Sequence, residues 1–252
     1  MTTPVSTDWL DRSRRLLGAD AMARLAKASV TVFGLGGVGG MCVETLARSG
    51  LGSLLLVDVD TISETNLNRQ FLTTRPDLGR VKSEVAAERI LTINPDCRIV
   101  QRNDFFNSAS ADSFFDPVPD IVVDAIDGLN AKAMLLQACL TRRIPVISTA
   151  GAGRRLDPTC VTYAPLPDVS GDRLTSRLRR SMRKNGYGPR LHEIMTVYST
   201  ELPLGGLFEE PEDDPVFEGR GRPRVPLASF ATVPAAAGIA AAYLVVNRII
   251  RQ

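Results

Sequence analysis

A glycine-rich turn near the amino end of the chain constrains the fold more than any other feature of the sequence. Residues 28–33 are apolar, residues 34–39 are Gly-Leu-Gly-Gly-Val-Gly, and residues 37–49 have helical spacing. A second apolar run, 53–57, ends at Asp58. A strand, a glycine turn, a helix and a strand ending in an acid are typical of a nucleotide-binding βαβ unit. The candidate nucleotide-binding residues of this unit are Gly34, Gly36, Gly37, Gly39 and, for the ribose hydroxyls, Asp58.

Strands and helices keep alternating through the first 150 residues. Helices are predicted at 81–91 and 129–141, and strands at 98–101, 121–124 and 145–149. This alternation predicts an α/β fold, a Rossmann-like and mostly parallel sheet with helices on both faces. The pattern weakens after residue 153. We therefore expect a less regular carboxyl-terminal part, with strands at 160–163 and 196–199 and helices at 172–184 and 235–250.

The length of 252 residues fits a single ATP-binding domain over the whole chain. Residues 1–27 are expected to form a helical segment. Residues 61–80 are polar and show no hydrophobic period, which predicts a crossover loop. A loop of this length in a compact domain suggests a functional role. Residues 205–225 include an acidic, proline-broken stretch, and we expect a mobile loop there.

The polar residues after the glycine turn favour ATP over NAD. The Walker Gly-Lys-Ser/Thr pattern is absent, so the phosphates need charges from elsewhere. Arg69 and Lys82 are expected to be exposed and to neutralise the triphosphate and the leaving pyrophosphate, and Asp127 to hold Mg²⁺. Singly, each has an ordinary alternative: a surface loop residue, a solvated helix start and a helix N-cap. Further nucleotide contacts are predicted at Asp60, Asn66, Asn68 and Gln70.

The order of these motifs resembles the ubiquitin-activating-enzyme-like (ThiF/MoeB/HesA-type) superfamily. The motifs are Gly-Leu-Gly-Gly-Val-Gly, Asp-x-Asp, Asn-x-Asn-Arg-Gln, Lys82 and Asp-Ala-Ile-Asp. Within the superfamily, the chain is most similar to the tRNA threonylcarbamoyladenosine dehydratases, from about Arg12 to the last helix. The finer similarity is carried by residues 65–70, 82–90 with 93–95, 124–127, 151–153 with 157–159, and 199–201.

This resemblance implies an activity. ATP would adenylate the threonine carboxylate of N6-threonylcarbamoyladenosine in tRNA, and the modified nucleoside would then cyclise with net loss of water. A homodimer is implied as well, in which Arg12 reaches the ATP of the other subunit. A cysteine desulfurase or a sulfur-acceptor protein is a partner that the resemblance leaves open.

Two other functions stay open from the sequence. One is an adenylyltransferase that activates the carboxyl terminus of a ubiquitin-like or sulfur-carrier protein, and the other is an inactive nucleotide-sensing scaffold. The four cysteines form no C-x-x-C pair, which argues against a zinc-bearing adenylyltransferase. Cys42 and Cys139 are predicted to be core residues, and Cys97 and Cys160 to lie in strands. A thioester cysteine is not expected.

A basic stripe is predicted on the helix at 172–184. Arg173, Arg177, Arg180 and Lys184 share one face, and the phosphate backbone of tRNA is the natural partner of such a stripe. A solvated amphipathic face is the alternative. A smaller cluster, Arg220, Arg222 and Arg224, follows in the predicted mobile loop. The formal charge of +2 excludes a histone-like binder, so a local patch must carry any RNA contact.

The sequence favours a cytoplasmic protein. Residues 1–8 are polar, so no signal peptide is expected, and the unpaired cysteine spacing is typical of a reducing compartment. Residues 228–246 are uncharged and alanine-rich, and we expect a buried core helix rather than a membrane span. His192 lies outside every motif and is predicted to be a surface residue.

Overall fold

A seven-stranded sheet is the centre of the computed structural model, which describes residues 8–107, 110–205 and 227–251. Its spatial order is β3-β2-β1-β4-β5-β7-β6. Neighbouring strands are parallel except for β6, which pairs antiparallel with β7. The strands are β1 (Ser29–Phe33), β2 (Ser53–Val57), β3 (Arg98–Arg102), β4 (Ile121–Asp124), β5 (Val146–Thr149), β6 (Val161–Pro165) and β7 (Met195–Ser199).

Helices cover both faces of the sheet, because side chains along each strand alternate between two hydrophobic cores. Val30 and Val32 of β1 point into a core shared with α2, α3, α4 and α8. Phe33 and Val122 point into a second core shared with α5, α6 and α7. The helices are α1 (Asp11–Leu17), α2 (Ala19–Lys27), α3 (Gly37–Arg48), α4 (Lys82–Ile93), α5 (Ala111–Phe114), α6 (Leu129–Arg142), α7 (Arg173–Lys184) and α8 (Thr232–Ile250).

The strand order reverses at β1, which lies between β2 and β4. The connection that leaves β1 leads to β2, and the connection that leaves β4 leads to β5 on the opposite side, so a crevice opens between them at the carboxyl ends of β1 and β4. We call this side of the sheet, where β1, β2, β4 and β5 end, the carboxyl edge. The predicted α/β class and mostly parallel sheet are confirmed.

The carboxyl-terminal part is more regular than the sequence predicted. Strands β6 and β7 extend the same sheet, and β7 is parallel to β5. The long connection between β5 and β7 contains α7. Because this connection is polar, the sequence pattern does not reveal that β7 continues the sheet beside β5. The crossover loop contains two 3-10 turns, Glu64–Asn66 and Arg75–Asp77, and an isolated bridge between Thr61 and Val81 closes it.

Apolar helix α8 packs on α3 in the first core. A Cβ on Gly238 would lie 2.3 Å from the carbonyl oxygen of Val38, so only glycine allows the two helices to approach this closely. Among the described residues, α8 alone is long and apolar enough to cross a membrane, and half of that stretch is buried inside the protein. Its alanines therefore serve helix packing, as the sequence predicted.

The mobile loop predicted at 205–225 lies outside the described residues, apart from Gly205. The cluster Arg220, Arg222 and Arg224 lies outside them too.

Candidate active site

The glycine turn after β1 has one open position and two crowded ones. A Cβ on Gly34 would lie 2.7 Å from the Ala125 oxygen, and one on Gly39 would lie 1.8 Å from the Gly34 oxygen. Around Gly36 the nearest atom to such a Cβ is the Gln70 Nε2, 3.9 Å away. Gly34 and Gly39 are therefore needed for packing, whereas Gly36 leaves space for a ligand at the start of α3.

The first turn of α3 offers its backbone N–H groups to that space. Gly36 is the N-cap of α3, and no side chain caps the helix. Uncapped N–H groups and the positive end of the helix dipole attract anions, phosphate above all. Gly37, the first helical residue, is in close contact with the Arg69 side chain, whose Cγ would lie 3.4 Å from a Cβ at Gly37. The turn and an arginine of the crossover loop thus meet.

Asp58 is fixed at the end of β2, beside the turn. Its Oδ2 accepts a 2.6 Å hydrogen bond from the Leu35 N–H, and its Oδ1 accepts one of 2.9 Å from the Asp60 N–H. Burial raises the pKa of Asp58 above its usual value, while the nearby Lys82 and the two backbone donors act in the opposite direction. Each oxygen keeps a second lone pair, so the predicted ribose contact is compatible with these bonds.

Lys82 is buried, and the expectation of an exposed residue was wrong. Its side chain is only 7% exposed, and its Nζ lies 2.8 Å from Oδ2 of Asp60, whose side chain is 63% exposed. The bridge between Thr61 and Val81 and a bond from the Lys82 N–H to the Asp60 carbonyl (3.1 Å) bring the start of α4 under the end of β2. The pairing fixes the position of the Lys82 ammonium group near the carboxyl edge.

Arg69 is also less exposed than predicted, being half-buried. Its guanidinium donates to the Thr65 carbonyl and to Oδ1 of Asn68, both at 2.9 Å. The Asn68 amide donates to the Ser229 carbonyl at 3.0 Å, which ties the loop to the segment before α8. Arg69 is thus held against the glycine turn by its own loop.

Two further side chains of this loop differ in what they bond. Asn66 accepts the Ser63 N–H at 3.2 Å and so caps a 3-10 turn. Gln70 is buried, and its Oε1 has no hydrogen-bond partner, although buried polar atoms are almost always paired. The Nε2 of the same amide is the atom that lies nearest to Gly36, so the unsatisfied acceptor is close to the region where a ligand has room.

Asp124 and Lys132 form a buried ion pair behind the site, which the sequence analysis missed. The Lys132 Nζ lies 2.6 Å from Asp124 Oδ2, and both side chains are 0% exposed. Ser148 also donates to that oxygen at 2.7 Å, and the Ile126 N–H donates to Oδ1 at 3.2 Å. This network fixes the loop after β4, which carries Asp127. A lysine on the apolar face of a predicted helix was the available signal, because lysine is almost never fully buried without a partner.

Asp127 lies at the end of the loop after β4, two residues before the start of α6, and its side chain is exposed. Within the described ranges, no group of three or more His, Cys, Asp or Glu residues could hold a metal ion by itself. Mg²⁺ is commonly bound by one or two carboxylates together with substrate phosphates. A single exposed carboxylate at the carboxyl edge is compatible with that mode of binding.

Helix α7 has the predicted basic stripe. Arg177 and Arg180 are exposed, as are Arg173 and Lys184, while Leu178 is buried. Arg179 differs from the stripe, because its guanidinium donates to the carbonyls of Leu166 (3.1 Å) and Val169 (2.5 Å). It therefore stabilises the preceding loop.

Buried Arg155 connects the start of α7 with the carboxyl edge, and the sequence analysis did not single it out. It donates to the carbonyls of Gly151 (2.5 Å), Gly171 (3.1 Å) and Glu201 (2.9 Å). Its guanidinium also lies 3.7 Å from Asp172, the N-cap residue of α7. The basic helix thus begins next to the end of β5.

Arg12 is exposed on α1, and within the described ranges no hydrogen bond or ion pair joins it to the residues above. Cys42 and Cys139 are buried in the cores, as predicted. The strand assignments of the other two cysteines were wrong. Buried Cys97 directly precedes β3, and half-exposed Cys160 ends a 3-10 turn, where its thiol donates to Asp157 at 3.4 Å.

Comparisons with known proteins agree on one family. The model of the ThiF family matches residues 10–247. The tRNA threonylcarbamoyladenosine dehydratase of Haemophilus influenzae is 39% identical over 191 residues, 74% of this chain and 73% of that protein. The enzyme of the same name from Escherichia coli is 37% identical over 210 residues, 80% of this chain and 78% of that protein. A crystal structure of E. coli tRNA N6-threonylcarbamoyladenosine dehydratase, TcdA, in complex with ATP superposes with a TM-score of 0.84 at 31% identity, covering 99% of this chain and 98% of that one.

Proposed function

We propose, because this chain belongs to the ThiF family, that it is an ATP-dependent enzyme that dehydrates N6-threonylcarbamoyladenosine in tRNA. One observation carries the proposal: nearly the whole chain has the fold of an ATP-bound dehydratase of that specificity. The open glycine turn and the charged groups around it supply a site of matching chemistry. The buried, unpartnered Gln70 Oε1 and the space beside Gly36 fit a bound nucleotide.

The proposed reaction has two steps. First, a carboxylate oxygen of the threonine moiety attacks the α-phosphorus of ATP, which gives an acyl-adenylate and pyrophosphate. A nucleophilic nitrogen of the same modified nucleoside then attacks the acyl carbon, loses its proton and expels AMP. The nucleoside has lost one water, whose oxygen leaves in AMP. Because the nucleophile is attached to the acyl group, proximity supplies much of the second step.

The chain's contribution is to position and neutralise phosphate. We assign to Arg69 and Lys82 the role of offsetting the negative charge that develops on the leaving pyrophosphate. We assign a Mg²⁺-binding role to Asp127, with ATP phosphates as the other ligands. Mg²⁺ would supply charge neutralisation there. The remaining nucleotide contacts are assigned to the backbone of the glycine turn, at Gly34, Gly36, Gly37 and Gly39, and to the side chains of Asp58, Asp60, Asn66, Asn68 and Gln70.

Binding of tRNA is assigned to the exposed stripe of α7. The helix begins at the carboxyl edge, where Arg155 holds its N-cap, so the stripe leads directly away from the proposed reaction centre. Arginines at this spacing suit successive phosphates of an RNA backbone. The binding residues proposed are Arg173, Arg177, Arg180 and Lys184.

We also propose a cytoplasmic homodimer built from a single domain, in which Arg12 reaches the ATP of the partner subunit. Strand β6 is at the edge of the sheet and so presents unpaired backbone groups. Tyr163 on β6 and Tyr243 on α8 are nearly half exposed, with ring centroids 6.1 Å apart. A second copy would cover this apolar edge. We propose, on the family resemblance, a cysteine desulfurase or a sulfur-acceptor protein as a further partner.

The second candidate is an adenylyltransferase for a carrier protein. A carrier would present a peptide carboxylate to the same ATP site, so the adenylating residues do not separate the two functions. The α7 stripe favours RNA, since a carrier terminus needs no row of exposed arginines beside the site.

AMP release separates the candidates. We expect AMP and pyrophosphate to form in equal amounts when Mg·ATP is added together with tRNA carrying N6-threonylcarbamoyladenosine, and neither to form with the unmodified transcript. AMP formation that requires a carrier protein instead of modified tRNA would support the adenylyltransferase.

A further inference from the structure

A basic cleft lies on the side of the sheet opposite the proposed ATP site. It has a volume of about 850 Å³. Its floor includes Val146 and Met195, the first residues of β5 and β7, so it opens at the amino ends of these strands. We call it the amino-edge cleft. The ends of α6 and α8 and the turn Gly188–Glu193 form its walls.

The walls of the amino-edge cleft are strongly positive. Four arginines line it, Arg143, Arg190, Arg248 and Arg251, together with the exposed His192. Glu193 is the single acid among the lining residues. The Arg190 guanidinium pairs with both oxygens of Glu193, at 2.6 and 2.7 Å, so that acid is already neutralised. A net positive charge on an open cleft favours an anionic ligand.

Arg143 occupies a backbone position that suits glycine better. It is the C-cap residue of α6 with φ 56° and ψ 31°, a left-handed conformation. Glycine is the usual residue at such a cap because it lacks the steric penalty of a Cβ. An arginine there is conformationally unfavourable, and its position on the wall of the cleft gives a functional reason for its presence.

The basic stripe of α7 leads to this cleft. The N-cap residue of α7 is Asp172, whose Oδ2 would lie 3.1 Å from a Cβ on Gly151 at the carboxyl edge. The 12 residues of α7 span about 18 Å at the helical rise per residue. Three residues separate the end of α7 from the turn Gly188–Glu193, and the Arg183 side chain packs against Gly188. Positive charge therefore extends from one edge of the sheet to the other.

We propose that the amino-edge cleft binds phosphates of the tRNA substrate at a distance from the modified nucleoside, as the far end of the surface that begins on α7. This inference rests on the proposed function for the identity of the RNA. The amino-edge cleft would give the tRNA a second binding site, on the edge of the sheet opposite the reaction centre. RNA is favoured over an acidic protein because the charge is continuous with α7, and a folded RNA has a phosphate at every nucleotide along such a path.

The test uses two variants of the full chain, with tRNA affinity measured across a salt series. Arg143→Gly removes a charge while relieving the backbone, so we expect its melting temperature to equal or exceed that of the wild type. We expect tRNA affinity to fall several-fold and the salt slope to decrease by about 1. Arg248→Glu should weaken binding further. Dehydration at saturating tRNA should keep its kcat, because the cleft is remote from the chemistry.

The matched control is Arg98→Glu, an exposed arginine on β3, far from β5 and β7 in the sheet order. Unchanged tRNA affinity and salt slope in both cleft variants would overturn the proposal. So would a change of oligomeric state by light scattering with unchanged tRNA affinity, which would make the cleft an interface between copies. If the wild type binds tRNA but does not dehydrate it, the proposed function fails while the binding comparison still tests the cleft.

Discussion

Near the carboxyl edge of the sheet two lysines are held in internal ion pairs, whereas α7 and the amino-edge cleft leave most of their basic side chains exposed. Lys82 and Lys132 are buried and bonded to Asp60 and Asp124. Arg177 and Arg180 are exposed. A small ligand such as ATP gains from charges that are fixed before it binds, because no reorganisation is then needed in the reaction. A long RNA gains from many charges, each of which contributes modestly.

The two kinds of charge also differ in their cost to the fold. Burying an ion pair requires desolvation of both charges, so the Lys132–Asp124 pair contributes little net free energy to the stability of the fold. Removing one partner of the pair nevertheless destabilises the fold strongly, because the other charge stays buried without a counter-charge. Exposed arginines can be replaced with little effect on folding. Substitutions should therefore separate the two regions cleanly.

The largest effect is expected at the two side chains of the carboxyl edge that are proposed to bind phosphate. Arg69→Ala and Lys82→Ala should each lower the rate of AMP formation about 100- to 1000-fold, which corresponds to about 3–4 kcal/mol of transition-state stabilisation. The measurement is single-turnover AMP formation with modified tRNA. Arg75→Ala, an exposed arginine of the same loop, and Lys27→Ala, exposed on α2, are controls that should react normally. Wild-type rates in Arg69→Ala or Lys82→Ala would contradict the assignment.

The next effect concerns folding. Lys132→Met should destabilise the protein by about 3–5 kcal/mol, since it leaves the Asp124 carboxylate buried without its counter-charge. Thermal or urea unfolding measures this loss. The double variant Asp124→Asn, Lys132→Met removes both charges and should recover most of the stability. If the single variant is as stable as the wild type, the pair does not hold the loop after β4 in the way described.

A smaller effect is expected on α7. Arg177→Glu together with Arg180→Glu should weaken tRNA binding and reduce the salt slope by about 2, one for each lost phosphate contact. ATP affinity should not change. Arg179→Gln is the matched control on the same helix: it breaks internal hydrogen bonds and should lower stability without changing the slope. Equal salt slopes of tRNA binding in the double variant and the wild type would show that α7 does not contact tRNA phosphates and that its basic stripe is only a solvated face.

The smallest effect is expected at the cysteines. Burial raises the pKa of Cys42 to about 12 and that of Cys97 to about 11, and it raises the pKa of Cys139 as well. The hydrogen bond to Asp157 raises the pKa of Cys160. None of these thiols favours the nucleophilic thiolate. Single Cys→Ala variants should cyclise modified tRNA within about tenfold of the wild type, apart from packing losses of a few kcal/mol in stability. A folded variant that binds both substrates but forms no product would revive a thioester mechanism.

The sequence predicted the local elements well, because hydrophobic period and glycine placement are local signals. The β1 turn, α3 and the acid at the end of β2 were all located from these signals. It did not predict that Lys82 is buried, because that depends on the bridge between Thr61 and Val81. Lys132 and Arg155 were missed for the same reason, since their partners are brought to them only by the folded sheet.

The most direct test of the central claim is mass spectrometry of the nucleosides of tRNA carrying N6-threonylcarbamoyladenosine, before and after incubation with the protein and Mg·ATP. The account predicts that this nucleoside loses the mass of one water in the wild type and in Lys27→Ala, but not in Lys82→Ala or without ATP. An unchanged nucleoside mass with the folded, ATP-binding wild type would contradict it.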